Sequence, residues 1–284
     1  MSAIARLRDF VTRHLALSLV LVVAVAPAAS GLAYALVAGL GLISGDGAPT
    51  LAHVRKLLAS GDLVASLGFT LGVAFVATVL AFALALIVAM TLRRLRRGRS
   101  FALSLITLPL AVPQVVTAAL VIQWLGPRGL LARAAWASGS HLQFQGFVFD
   151  RLGLGIVLAY AWKEVPWLAL VLLAVFEIGE ERYERVAATL GAGPLQRFTR
   201  IVLPLSWRGS RPAVLVLFAY VIGAFEVPLL LGRSWPPMLS VLAWERLTSV
   251  DLARRSEAFV IGIAVTLLIT AIAIAASRGN QELL

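Results

Sequence analysis

Thirty consecutive residues, Leu63–Leu92, carry no charged side chain. A helix rises about 1.5 Å per residue, so this run outspans the roughly 30 Å hydrocarbon core of a bilayer. Lipid offers no water to backbone N–H and C=O groups, and a helix satisfies them within the run itself. Charge-free stretches of sufficient length recur at Leu15–Gly45, Phe101–Pro127 and Ala258–Ser277. Two more are interrupted: Leu152–Phe176 by Lys163 and Glu164, and Pro212–Gly232 by Glu226. Six spans are therefore expected, in an all-α, polytopic membrane fold. Composition agrees, with 60% hydrophobic and 14% charged residues against about 45–50% and 25% in soluble domains.

Arginines orient the spans. Arg93-Arg94-Leu95-Arg96-Arg97-Gly98-Arg99 packs five positive charges between the second and third runs, and such loops stay cytoplasmic. Arg6, Arg8 and Arg13 of the N-terminal tail, and six arginines between Gly179 and Arg211, fall on the same side. Both termini are expected in the cytoplasm, with the chain in a bacterial inner membrane. The net charge of +11 is thus assigned to topology and anionic headgroups rather than to nucleic acid. Arg6–Arg13 followed by Ala26-Pro27-Ala28 resembles a cleavable signal, yet the apolar run continues to Ile43, which favours a retained helix kinked at Pro27.

The expected organisation is a tail, first helix and outer loop over 1–62, a core over 63–277 and a short cytoplasmic tail over 278–284. The outer segments 44–62, 126–151 and 233–257 are too short for a second domain. Their Trp136, Trp235 and Trp244 suit the membrane surface, where amphipathic rings concentrate. The chain has no cysteine, and no ligand spacing links His14, His53 and His141. No catalytic, cofactor or metal site is expected.

The connection 179–211, GEERYERVAATLGAGPLQRFTRIVLPLSWRGSR, is longer than a turn between two spans requires. Tyr183, Val186, Ala187 and Leu190 recur at helical spacing on one face. Glu181, Arg182, Glu184 and Arg185 take the other. Gly191-Ala192-Gly193-Pro194 then breaks the helix, glycine permitting positive φ and proline suiting a first helical turn. A second short helix is expected through Leu195, Phe198 and Ile201, closed by Pro204. The apolar face can either lie against the protein's own spans or receive a partner.

Lys163, Glu164 and Glu226 are costly inside lipid, about 2.5–3.5 kcal/mol each on the translocon scale. Counted from the outer helix ends, Lys163 lies about 16 Å deep and Glu226 about 9 Å. One reading is an internal Lys163–Glu226 pair; the other is that the acids line a translocation path and favour a cation. Glu164 projects about 100° away from Lys163. Pro166 and Pro228 follow the acids by two residues and free backbone carbonyls that a polar solute can use.

The loop resembles the Glu-Ala-Ala signature of ABC importer permeases, E-A-A-x3-G-x9-I-x-L-P. Ala187, Gly191, Ile201, Leu203 and Pro204 match; Arg185 and Val186 stand where that family has glutamate and alanine, with Glu184 adjacent. Leu108–Pro113 and Phe225–Gly232 resemble the branch containing polyamine, ferric-iron and thiamine importers. The resemblance covers about residues 63–277. It implies the type I permease fold and a coupling helix, with Tyr183, Glu184, Arg185, Val186, Ala187, Leu190, Gly191 and Ala192 at the ATPase contact. It also implies two ATPase subunits, a second permease, identical or related, and an extracytoplasmic solute-binding protein. The chain lacks G-x4-G-K-S/T, so ATP is expected on the partner. The competing class is a secondary transporter in which Glu226 and Lys163 couple ion movement.

Overall fold

The computed structural model describes residues 18–19, 21–42, 49–95, 97–139, 147–177 and 181–281, and among them no strand occurs. Five stretches are long and apolar enough to cross a membrane: Asp62–Arg94, Gln114–Ala137, Leu154–Val175, Pro194–Gly223 and Arg254–Ser277. The first expected span is seen as a π-helical turn, Leu21–Val25, leading into α1, Ala26–Gly39. Pro27 stands in the first turn of α1, where its missing N–H costs nothing. The helix type therefore changes directly before Pro27, the residue at which a kink is expected. The ends of that run, 15–17 and 43–45, lie outside the described residues, as do His14 and His141.

The chain divides into two compact units. One comprises 1–60 and 243–264. It holds α1 and α2 (Ala52–Ala59), with Tyr34 edge-on to Phe259 at 5.5 Å and a buried Arg246–Glu257 ion pair at 3.4 Å.

The other unit comprises 61–242 and 265–284, and its core is α3, Asp62–Arg94. Ser66, Thr70, Ala74, Ala77, Ala81, Ala85 and Ala89 form a buried stripe along α3. Small side chains let helix axes approach closely, which replaces the hydrophobic driving force that lipid cannot supply. Against this stripe pack α7, Leu154–Val175, and α10, Leu203–Gly223. At Gly209 an added Cβ would lie 2.6 Å from Val175 Cγ1, so only glycine permits this approach of α10 to α7. Phe75, Val79 and Ile87 on the opposite side of α3 are exposed, as lipid-facing residues are.

Two expected spans are broken. The third is α4, Arg99–Ala111, then an extended Val112 (φ −79°, ψ 126°), then α5, Gln114–Leu125. Pro113 explains this: it has no N–H and pushes the preceding residue out of the helical region. After α5 comes α6, Leu130–Ala137. The fifth span stops at Gly223, is extended at Ala224, and restarts as α11, Glu226–Leu231. Pro228 is the cause, because its ring clashes with the carbonyl four residues back, on Ala224. A final pair of helices follows, α12 (Leu239–Leu247) and α13 (Leu252–Gln281).

Candidate translocation path and coupling surface

Breaking a helix in lipid strands backbone carbonyls, and the structure shows where these go. Lys163, only 8% exposed, donates from Nζ to the Pro109 carbonyl at 3.2 Å and to that of Val112. An ammonium at this point meets the negative end of the α4 dipole and caps its unsatisfied groups. The Lys163 charge therefore rests on the end of α4, not on Glu226. At the second break, the Ala224 carbonyl accepts the Ser240 hydroxyl at 2.5 Å. The carbonyl freed by Pro228 thus has one hydrogen bond within the unit. Pro166 sits inside α7 without ending it.

The two acids have different surroundings. Glu164 is half-buried and engages the Gln114 side chain, which also bonds Tyr220. Tyr160, one turn before Glu164, meets Tyr220 edge-on with centroids 6.1 Å apart. Glu226 is exposed and opens onto a cavity of about 570 Å³ lined also by Tyr220, Phe225 and Ile269. Elements α5, α7, α10 and α11 thus bring one amide, two phenols and two carboxylates together at membrane depth. Sequence reasoning singled out the acids and missed Gln114, Tyr160 and Tyr220. A signal existed for the first two: Gln114 is one of two amides in the charge-free run 101–127 and directly follows Pro113, and Tyr160 shares a helix face with Glu164 at i, i+4.

At the other end of the unit, α8 (Glu181–Thr189) begins the 179–211 connection. Its end is a Schellman motif. Gly191 N–H donates to the Ala188 carbonyl at 3.1 Å and Ala192 N–H to that of Ala187 at 3.0 Å, with Gly191 at φ +82°. A Cβ at Gly191 would touch nothing within 4 Å, so the demand for glycine there is one of backbone conformation alone. Tyr183, Val186 and Leu190 are exposed, Leu190 at 82%. The apolar face therefore does not lie against the protein's own spans. Ala187 and Ala192 are half-buried, and Arg185 is exposed. Glu184 turns inward and pairs with Arg93 at 2.9 Å, whose guanidinium also stacks 4.8 Å from the Phe176 ring centre.

The second half of the connection corrects an expectation. Pro194 does open a helix, α9 (Pro194–Arg197), behind Gly193, but Pro204 does not close it. A π-helical turn, Phe198–Val202, carries the chain directly into α10. Pro204 stands just inside α10, and the helix continues past it from the π-helical turn.

A helical membrane unit with broken spans, an internal polar cluster and a protruding capped helix defines a transporter subunit. The sequence matches the family described as binding-protein-dependent transport system inner membrane component over residues 77–279, more than half the chain, and the protein belongs to that family. The subunit is non-catalytic.

Among relatives, the chain is 31% identical over 171 residues to a probable molybdenum ABC transporter permease protein of Haloferax volcanii, covering 60% of this chain and 59% of that protein. It is 30% identical over 207 residues to the molybdenum transport system permease protein ModB of Azotobacter vinelandii, covering 71% and 86%. A further 30% identity over 188 residues joins it to the thiamine transport system permease protein ThiP of Brucella suis, covering 65% of this chain and 34% of that one. In fold it is similar to a bacterial ABC transporter that imports the acidic polysaccharide alginate, with TM-score 0.71, 21% identity and coverage of 97% and 96%. The type I importer permease fold is thereby established, and membership of an ABC family displaces the ion-coupled reading of Glu226 and Lys163.

Proposed function

We propose that this chain supplies half of the translocation path of an ATP-driven importer for a small organic cation. A separate ATPase drives it through 179–211. The supporting observation for coupling is the exposed Tyr183–Val186–Leu190 face on a helix stiffened by the Gly191 cap and tied to α3 by Glu184. An exposed apolar face rimmed by charge is what a docking helix presents to a groove. A second permease, identical or related, completes the path, and a solute-binding protein outside the cell delivers the solute. Residues 63–277 form the functional core, with both termini in the cytoplasm.

For the substrate, Glu226 and Glu164 beside Tyr220 carry the reading. Two carboxylates repel an anion, while carboxylates and aromatic faces together attract a desolvated cation. Relatives named for molybdenum and thiamine transport differ on this point, and the acids favour the organic cation. Polyamines and thiamine are the first compounds to test. In proteoliposomes carrying the permease, its ATPase and the binding protein, spermidine or thiamine should stimulate ATP hydrolysis and accumulate inside. Stimulation by molybdate and not by either cation would overturn the substrate assignment while leaving the coupling assignment standing.

A further inference from the structure

Beneath α8 lies a cavity of about 260 Å³ lined by Arg93, Arg94, Arg185 and Arg197, with Glu184 as its one acid. About 10–15 Å³ admits a water, so a phosphate group fits. The Arg93 side chain is 7% exposed and spends Nη2 on Glu184. Its Nη1 is buried without an acceptor, and so is Nε of Arg197. Buried guanidinium N–H groups without acceptors call for an anion with several oxygens, the geometry a phosphate offers in bidentate contacts.

Next to this cavity, and sharing Arg94 with it, runs an open groove of about 520 Å³ lined by Ile87, Met90, Thr91, Leu95 and Phe198. It follows the last two turns of α3, within the span. A free phosphate or nucleotide would use the basic cavity and leave the apolar groove empty. An anionic phospholipid uses both, its phosphate among the arginines and an acyl chain along Ile87 and Met90. Basic pockets where spans meet the headgroup layer have this character. We propose that the cavity and groove form one binding site for an anionic phospholipid, wedged between the coupling helix and α3. The site stands on these side chains and does not depend on the transported solute.

The test uses the full-length chain, delipidated in detergent and titrated with phosphatidylglycerol or phosphatidylcholine under native mass spectrometry. Phosphatidylglycerol should be retained at concentrations at least tenfold lower than phosphatidylcholine. Arg94→Gln combined with Arg197→Gln should erase that preference, and the matching Arg→Lys pair should keep part of it while eluting identically on size exclusion. Inorganic phosphate at millimolar concentration should not displace the lipid. Equal retention of both lipids, or a preference that survives the Gln pair, would overturn the proposal. Displacement by phosphate alone would overturn the lipid in favour of a soluble anion.

Discussion

The proposed coupling surface is built within residues 181–192, whereas the membrane cluster joins Gln114 to Tyr220 across 106 positions. In the first, one helix and its cap dictate the shape, and apart from the Glu184–Arg93 tie to α3 its contacts join neighbours in sequence. In the second, no residue means much until Pro113 and Pro228 have broken their spans and α3 has drawn α7 and α10 together. Local construction makes a stiff part that survives most changes except to its cap. Distributed construction makes a tunable part, in which single side chains can be altered without loss of the fold.

That contrast is open to attack by substitution. The largest effect is expected at Gly191. Replacement with valine forces a β-branched residue to φ +82°, at a cost of about 1–2 kcal/mol or more. Uptake and permease-stimulated ATP hydrolysis should fall to background while membrane insertion persists. Gly191→Asn should retain most activity, since no neighbour crowds the site and Asn tolerates this conformation. If valine transports as well as glycine, the docking assignment fails.

Next comes Glu226→Gln, which should lower cation uptake about tenfold, equivalent to about 1.4 kcal/mol, with insertion and basal ATP hydrolysis unchanged. Equal loss of a neutral solute's uptake would make Glu226 structural. Lys163→Met should act mainly on stability. It leaves the Pro109 and Val112 carbonyls without their donor, a cost of about 1–3 kcal/mol, read as a lowered midpoint in detergent thermal unfolding. The smallest effect is expected from Glu184→Gln, which removes the charge of the Arg93 pair. Uptake should fall about two- to threefold, and the reciprocal pair Arg93→Glu with Glu184→Arg should recover part of it.

Legibility followed the same division. Periodicity and glycine chemistry exposed α8, its end at Gly191 and its greasy face, because these are properties of adjacent residues. The long runs placed α3 and α7 closely. Composition said nothing about the breaks at Val112 and Ala224, since an apolar run reads alike whether continuous or interrupted, although Pro113 and Pro228 were in plain view. The partner of Lys163 was unreadable for a related reason: a backbone carbonyl has no letter of its own. Among charged residues Glu226 was the expected partner, and a broken helix end supplied the acceptors instead.

The join at Phe198–Val202 has a mechanical corollary. From Pro194 to Gly223 the chain is one helical stretch of 30 residues, with a π-helical turn at Phe198–Val202 and Pro212 inside α10, roughly 45 Å at the usual rise. One end leaves the turn beside the docking helix; the other stops at the gap preceding Glu226. If that stretch moves as one body, a tilt of about 5° imposed below swings the upper tip by about 4 Å. Under the proposed coupling, a small push on the 179–211 connection would thereby be enlarged to roughly the width of a water molecule beside the Glu226 carboxylate.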